Sequence, residues 1–345
     1  MIPSYRIDIF PRLFHFKKPA GTSRGVYTER RSWYVRVASA ACPGREGWGE
    51  CAPLPQLSVD DLPDYEGVLR GICAEVARTG QVDTERWREY PSMLFGLETA
   101  LRHLERGTYA LWDTPFSRGE EGICINGLIW MGDHDAMYGQ IREKLEAGFR
   151  CVKLKIGAIG FEEELDLLRF IRRHFPAREV ELRVDANGAF APAEALDKLK
   201  RLAEFDLHSI EQPIRAGQWD EMAGLTSVSP LPVAFDEELI GHCSLEAKRR
   251  LLDALHPQYI VLKPSLHGGF SGCREWIEEA EKRNVGWWIT SALESNVGLN
   301  AIAQWCATWQ TRMPQGLGTG MLFTDNVPMP LEIRKDCLWY VADGD

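Results

Sequence analysis

Three acidic residues and one lysine recur at nearly equal intervals, each at the end of a short apolar run. Asp185, Glu211 and Asp236 lie 26 and 25 residues apart, and Lys263 follows after 27 more. One strand, one helix and two short connections take about this many residues. The carboxyl ends of barrel strands form the face on which active sites are built. The spacing therefore predicts four charged side chains around one site, although each acid alone could equally be a helix cap or a surface charge.

Alternating strand and helix patterns surround these four residues. Seven strand–helix units follow one another between residues 123 and 308, and residues 316–318 are a short eighth strand candidate. This alternation is typical of parallel sheets, and the number of units favours a closed barrel over an open sheet. We predict an α/β protein whose catalytic domain, residues 117–320, is a modified TIM barrel of the (β/α)7β type.

The first third of the chain has a different pattern. Residues 5–10 and 32–37 alternate as strands do, whereas residues 60–113 have helical periodicity. Residues 19–25 and 47–55 are rich in glycine or proline and are predicted to be irregular. We predict an α+β capping domain over residues 1–116, with the C-terminal tail, residues 321–345, packing back on it.

The composition of the chain limits the kinds of molecule that it is expected to bind. The net charge of −10 and the lack of a basic stripe argue against nucleic acid and anionic membranes. The nine cysteines lack C-x-x-C spacing, which favours reduced thiols. No run approaches the roughly 18 apolar residues that a membrane span requires. We expect a cytoplasmic enzyme with a small-molecule substrate and leave open whether it forms a homo-oligomer.

A lysine pair lies on an earlier strand of the predicted barrel. Lys153 and Lys155 are two residues apart, so both point to one face, while Val152, Leu154 and Ile156 supply the face towards the helices. Repulsion between neighbouring ammonium groups favours the neutral form of one of them, which makes it a competent general base. An isolated pair of this kind is more often a solvated edge, but here the acids supply the negative charge that an inward pair needs.

The three acids predict a metal site. Asp185, Glu211 and Asp236 could not all remain ionised in one site without a cation. Three hard oxygen ligands suit Mg²⁺, with Mn²⁺ as a substitute, whereas zinc prefers His or Cys ligands that are missing from these strand ends.

Lys263 is predicted to lie across the barrel from Lys155, four strands later. A metal between two opposed lysines suits the removal of a proton α to a carboxylate, with the ion stabilising the enediolate. The alternative for Lys263 is a salt bridge with Asp236 or Glu237.

These residues resemble the enolase superfamily, and specifically its muconate-lactonising-enzyme subgroup. The similar motifs are Lys153-Leu154-Lys155, Asp185-Ala186-Asn187, Glu211-Gln212-Pro213, Asp236-Glu237 and the sixth-strand Lys263. The resemblance covers nearly the whole chain and implies an enolase-like fold, with an α+β capping domain on a (β/α)7β barrel.

Three further stretches resemble one branch of that subgroup. They are residues 125–130, 291–300 and 316–326. This resemblance implies the dehydration of 2-succinyl-6-hydroxy-2,4-cyclohexadiene-1-carboxylate to o-succinylbenzoate in menaquinone synthesis. Lys155 would remove the proton and then protonate the departing hydroxyl group on the same face. Lys263 would act as a stabilising cation or a second acid/base, and Lys153 would tune Lys155.

Other expected contacts surround this centre. Arg183, on the same inward face as Asp185, is predicted to be a cation just outside the metal ligands, with an exposed arginine as the alternative. Asn187 is expected to support the site in the same way. Ser291, Gly318 and Thr319 are predicted to bind substrate, although Ser291 could instead cap the next helix. Residues 19–25 and 47–55 are expected to close over the substrate, with an inert surface loop as the alternative for each.

Related activities use the same lysines. N-acylamino acid racemases and other proton-transfer enzymes of the subgroup also need a lysine on each face, so these residues cannot separate them. Dipeptide epimerases of the subgroup typically carry Asp-x-Asp after the last strand, where this chain has Gly318-Thr319-Gly320-Met321. A catalytically dead barrel that serves as a binding module would be expected to lack at least one of these groups, and none is missing.

Overall fold

The computed structural model describes residues 5–22, 25–311 and 313–341 of the 345-residue chain. Its first part is a three-stranded antiparallel sheet, in the order β1-β2-β3, on which two helices pack. The elements are β1 (Tyr5–Thr22), β2 (Gly25–Ser39), β3 (Glu46–Cys51), α1 (Tyr65–Thr79) and α2 (Pro91–Arg106). The expected α+β architecture of this part is confirmed.

The prediction of an irregular stretch at residues 47–55 is wrong for residues 47–51, which belong to β3. Glycine is required there because the strand lies directly against α2. A Cβ atom at Gly49 would lie 1.9 Å from the carbonyl oxygen of Gly96. A Cβ atom at Gly96 would in turn lie 2.2 Å from the sulfur of Cys51. The glycines therefore mark close packing of a strand on a helix.

The loop predicted at residues 19–25 is shorter than expected. β1 continues to Thr22 and β2 begins at Gly25, so the two strands form one long hairpin. Residues 23 and 24, which follow β1 in the sequence, lie outside the described residues.

The second part alternates strands and helices around a parallel sheet. After the short β4 (Ile123–Cys124), the strands are β5 (Gly127–Ile129), β6 (Cys151–Lys155), β7 (Glu181–Asp185), β8 (Ser209–Glu211), β9 (Val233–Phe235), β10 (Tyr259–Leu262) and β11 (Gly286–Ile289). The helices are α3 (His134–Glu146), α4 (Phe161–His174), α5 (Pro192–Ala203), α6 (Trp219–Val228), α7 (Leu245–Leu255), α8 (Gly269–Glu281) and α9 (Asn296–Cys306). β5 to β11 pair in sequence order, as consecutive right-handed crossovers produce.

The eighth strand candidate closes the ring. Gly316 forms a parallel bridge with Thr290 at the end of β11, and Gln315 forms one with Ile125 beside β5. The largest apolar cluster lies between the strands and their helices and includes Val152 and Leu154. The predicted modified barrel is thus confirmed. Among the described residues, no helix combines the length and the apolar character needed to cross a bilayer.

The C-terminal tail contacts both the first domain and the barrel domain. Phe323 bridges Phe16 of β1, and Lys17 donates its amide to Leu322, so this segment lies on the first domain. The tail ends in two further strands, β12 (Leu331–Arg334) and β13 (Cys337–Tyr340). β13 pairs with β4 rather than with the capping sheet. Leu338 and Tyr340 join the apolar core of the barrel, which explains this difference from the expected packing. The division at residues 116 and 117 stays a prediction.

Candidate active site

One cavity opens at the carboxyl ends of the barrel strands and brings most of the predicted site residues together. It contains about 810 Å³ of space free of protein atoms, part of it open to solvent. Ten of the eleven predicted residues line it: Lys153, Lys155, Asp185, Asn187, Glu211, Asp236, Lys263, Ser291, Gly318 and Thr319. The strand register explains this, since Lys155 pairs with Asp185 and Asp185 with Glu211 across three neighbouring strands.

The lysines neutralise the acids directly. The Nζ atom of Lys153 lies 3.1 Å from Oδ2 of Asp185 and also donates to Oε2 of Glu211. Lys263 donates to Oδ2 of Asp236, which is the salt bridge that the sequence left open as its alternative role. All these side chains are at least 85% buried, so their charges compensate one another with little help from water.

Lys155 has a different set of contacts. Its Nζ donates to Oδ1 of Asn187 at 2.8 Å and lies 3.4 Å from Oδ2 of Asp185. Asn187 adopts a left-handed backbone conformation with φ of 44° and donates its Nδ2 to Glu237 at 2.9 Å. Asn187 therefore fixes the position of the Lys155 ammonium from above the strand ends.

The pKa values follow from this dense array of charges. Burial by itself raises the pKa of Asp185, but Lys153, Lys155 and Lys263 outweigh it and hold that pKa below its usual value. Burial and the neighbouring Asp185 raise the pKa of Glu211 to about 8. Burial also acts to lower the pKa of Lys153, yet the acids raise it above its usual value. The surrounding carboxylates therefore favour the charged form of Lys153, and the expectation that one lysine of the pair is neutral stays a prediction.

The predicted metal ligands share the cavity but do not form a ready cluster. Among residues 5–22, 25–311 and 313–341, no three His, Cys, Asp or Glu side chains stand close enough to hold a metal as they are. The ammonium groups lie where a cation would otherwise balance the acids. Two buried oxygens, Oε1 of Glu211 and Oδ1 of Asp236, have no hydrogen-bond partner. Hard carboxylate oxygens left unpaired in this way fit Mg²⁺ by their donor chemistry.

Arg183 is buried beside the cavity, and its contacts are not with the predicted metal ligands. It is 1% exposed, so the alternative of an exposed arginine is wrong. Its guanidinium donates to Glu181 at 2.7 Å and to the carbonyl of Pro314 at 2.9 Å, and lies over the ring of Trp288. No ion pair joins it to the three acids within the described residues. Its register partner Lys153 reaches the acids from the same layer, whereas the Arg183 side chain lies against Glu181 and Trp288 and supports the cavity through Trp288, which lines it.

The predicted substrate contacts lie on the wall formed by the last strands. Ser291 Oγ lies 2.6 Å from Thr319 Oγ1, and both side chains are largely buried. Ser295, not Ser291, caps α9, so the helix-cap alternative for Ser291 is wrong. Gly318 lies beside Ile125 and Asn126 at the barrel closure.

Sequence reasoning missed the apolar part of the cavity. Leu54 and Leu57 reach it from the segment after β3, and Leu128 and Trp130 reach it from the end of β5. The segment 47–55 was expected to close over the site, and Leu54 does line it. Leu128 and Trp130 lie in a stretch singled out for its resemblance, but nothing in the pattern fixed their direction.

A glutamine that the sequence analysis did not weigh organises the acid-bearing strand ends. Gln212 is fully buried and donates to the carbonyl of Ile214 and to Glu238. Its Oε1 accepts from the amides of Asp236 and Glu238. The end of β9, and with it Asp236, is thereby tied to the end of β8.

A parallel barrel with lysines on opposite sides of three carboxylates, covered by an antiparallel domain, defines an enzyme of the enolase superfamily. Comparison with known families agrees. Residues 136–340 match the family model described as "Enolase C-terminal domain-like", and residues 22–104 match "MenC, N-terminal domain".

Individual relatives show which family within the superfamily this chain belongs to. The o-succinylbenzoate synthase of Desulfotalea psychrophila (strain LSv54 / DSM 12343) is 48% identical over 353 residues, covering 92% of this chain and 94% of that protein. The crystal structure of MenC from Desulfotalea psychrophila LSv54 superimposes with a TM-score of 0.82 at 42% identity, covering 97% of this chain and 99% of that one. A muconate cycloisomerase variant superimposes with a TM-score of 0.78 at 22% identity, covering 98% and 94%, which shows the fold alone. This chain therefore belongs to the o-succinylbenzoate synthase family and is an enzyme of the lyase type.

Proposed function

We propose that this enzyme catalyses the Mg²⁺-dependent dehydration of 2-succinyl-6-hydroxy-2,4-cyclohexadiene-1-carboxylate to o-succinylbenzoate in menaquinone synthesis. The observation that carries the proposal is the convergence of Lys155 and Lys263 on one carboxylate-lined cavity. They come from β6 and from just beyond β10, four strands apart in the ring, and so face each other across it. An apolar wall that includes Leu54 and Trp130 suits the carbocyclic ring of this substrate.

The proposed metal ligands are Asp185, Glu211 and Asp236. Their support is the donor chemistry of the three buried carboxylates and the two oxygens that lack hydrogen-bond partners. When bound, Mg²⁺ would supply positive charge beside the substrate carboxylate, where negative charge develops as the proton leaves.

We assign the proton transfers to Lys155. As a neutral amine it takes the proton from C1, next to the ring carboxylate, and the C–H electron pair forms the new ring double bond. The C6–O bond breaks, and the same ammonium group returns its proton to the departing hydroxide, which leaves as water. Aromatisation drives this syn elimination, and Asn187 orients the amine through its 2.8 Å hydrogen bond.

The other two lysines have supporting roles in this proposal. Lys263 stays charged on the opposite face and stabilises the developing negative charge. Lys153 lies between Asp185 and Glu211 and sets the field around Lys155. Ser291 and Thr319, at the far wall, are proposed to bind the succinyl chain.

The test is an assay of the purified protein with Mg²⁺ on the cyclohexadiene substrate and, separately, on an N-succinyl amino acid. Dehydration is expected, and Lys155→Ala should lower its kcat by ~100-fold or more, as for loss of a general base. Lys200→Ala is the matched control, because Lys200 is an exposed lysine on α5 that pairs with Asp197. EDTA should abolish the activity.

Each contrary result has a distinct meaning. Full dehydration in EDTA would remove the metal from the scheme. Racemisation of the N-succinyl amino acid without dehydration would replace the lyase reaction with the racemase alternative. A cytoplasmic location is part of the proposal, and the free state of all nine cysteines supports it.

A further inference from the structure

A buried arginine of the first domain bridges two walls of the cavity. Arg30, on β2, is 2% exposed. One of its guanidinium nitrogens donates to the carbonyl of Ala52 at 2.6 Å, and the other donates to the carbonyl of Ala292. Ala52 begins the segment that carries Leu54 into the cavity, and Ala292 follows Ser291 on the barrel side. A single side chain therefore joins the wall from the first domain to the wall from the barrel.

The same face of β2 carries two more polar residues directed at the barrel. Because side chains alternate along a strand, Ser32 and Tyr34 share the face of Arg30. Ser32 Oγ donates to Glu50 at 2.7 Å, and Tyr34 OH lies 2.6 Å from Ser295 Oγ. Arg30 is thus one member of a polar interface and not an isolated buried charge.

Glu50, on β3, completes this interface by capping a barrel helix from the other domain. Its carboxylate accepts from the amides of Ser295 and Gly298, both at 3.0 Å, and from Ser295 Oγ at 2.5 Å. A carboxylate at a helix N-terminus is stabilised by the amides and by the helix dipole. The start of α9, and the segment that leads into it, is therefore anchored to the first domain.

The charges around Arg30 keep the bridge in place. Burial lowers the pKa of Arg30, while the neighbouring Glu294 and Glu50 act in the opposite direction and favour the charged form. Glu294 itself accepts from the amide of Ala292 at 2.7 Å and from Ser265. Hydrogen bonds from a charged donor are strong where water is excluded.

We propose that Arg30 is a positioning residue that holds segment 52–58 of the first domain against segment 291–295 of the barrel and thereby sets substrate affinity. The inference rests on the proposed function, because it takes this cavity as the substrate site. The hydrogen bonds of Arg30 go to Ala52 and Ala292 and not to Lys155 or the proposed metal ligands, so its loss should weaken binding far more than the chemical step.

The test compares Arg30→Met and Arg30→Lys with matched changes at Arg172. Arg172, on α4, also bridges backbone carbonyls, donating to Phe205 and Val180 at 2.7 Å each. These carbonyls precede β8 and β7, at the opposite end of the barrel from the cavity. The measurements are amide hydrogen exchange by mass spectrometry, equilibrium binding of o-succinylbenzoate, and KM and kcat for dehydration with Mg²⁺.

For Arg30→Met we expect faster exchange in both segments, 52–58 and 291–295. KM and the product Kd should each rise by ~10-fold or more, as loss of charged hydrogen bonds predicts, with kcat changed by less than ~3-fold. Arg30→Lys keeps the charge but cannot reach both carbonyls, so it should give an intermediate effect and carries the test if Arg30→Met does not fold. Arg172→Met should leave KM and the product Kd at the wild-type values.

Two results would overturn the proposal: unchanged exchange in both segments, or a fall in kcat with KM and Kd unaltered. Failure of the proposed function is recognised separately. In that case the wild-type protein itself would neither dehydrate the substrate nor bind the product, whereas the exchange comparison would still report on the bridge.

Discussion

Replacing Lys153 by methionine tests whether the lysines stand in for a cation among the acids. Lys153 is 8% exposed and contacts both Asp185 and Glu211. Methionine keeps an unbranched chain but leaves these carboxylates facing each other without an ammonium group between them. Removing one partner of a buried ion pair costs about 3–5 kcal/mol. At about 2.1 cal/mol/K per residue, 345 residues have an unfolding entropy near 0.7 kcal/mol/K, which converts that cost to a fall in Tm of about 4–7 °C.

Mg²⁺ should compensate for the loss. In the wild-type protein the ion must displace ammonium groups from the same carboxylates, whereas in Lys153→Met it meets uncompensated charge. A ligand at 100 times its Kd stabilises the folded state by about 2.7 kcal/mol. The gap in Tm between variant and wild type should therefore be widest in EDTA and should narrow on addition of Mg²⁺.

The assay is thermal unfolding followed by circular dichroism, in EDTA and across a Mg²⁺ titration. Lys200→Met is the control, because its exposed ion pair with Asp197 contributes little in either condition. A variant as stable as the wild type in EDTA would refute the idea that Lys153 compensates the acids. A gap that Mg²⁺ leaves unchanged would refute the competition between lysine and metal.

Three further predictions concern stability and binding. Burial raises the pKa of Asp60 from 3.8 to about 6, so this carboxyl stabilises the folded state at low pH, and that stability is lost as the pH rises from about 4 through about 6. In Asp60→Asn the unfolding free energy should fall by about 3 kcal/mol less over this pH range than in the wild type. Urea denaturation at each pH measures this, and the same pH dependence in both proteins would contradict it. Gly49→Ala should lower the free energy of unfolding by ~3 kcal/mol or more in the same assay, because its Cβ would lie 1.9 Å from the Gly96 oxygen. An unchanged free energy of unfolding would show that β3 can shift on α2 without cost. Ser291→Ala should raise KM several-fold with kcat unchanged, since it removes the 2.6 Å contact with Thr319; a fall in kcat alone would argue against a binding role.

The sequence by itself determined the barrel and the layer in which its charged residues meet. Asp185, Glu211 and Lys155 end consecutive strands, and a parallel register brings such ends together whatever the helices between them contain. Strand alternation also fixed the inward direction of Lys153 and of Arg183. These features depend on periods of two and of about 26 residues, which are visible in one chain.

Tertiary structure decided which of these charges touch. Arg183 was expected near the acids, but its side chain lies against Glu181 and Trp288, while Lys153 reaches the acids from the same register position on β6. Lys263 was left between two roles, and its contact with Asp236 depends on side chains from different strands reaching the same point. Alternation along a strand predicts that a side chain points into the barrel, but it does not predict which other side chains it contacts there. Those contacts depend on how the strands and side chains pack.

Contacts between the two domains were equally hidden. The pattern Gly47-Trp48-Gly49-Glu50 predicts a loop, because glycine is unfavourable in strands. In the structure, the lack of a side chain at Gly47 and Gly49 lets β3 lie directly against α2. Arg30 and Glu50 are ordinary charged residues in the sequence, and both become buried only because the first domain covers the start of α9. A local sequence pattern reflects only residues that are close along the chain. These hydrogen bonds join residues about 250 positions apart, and only the folded arrangement of the two domains brings them within hydrogen-bond distance.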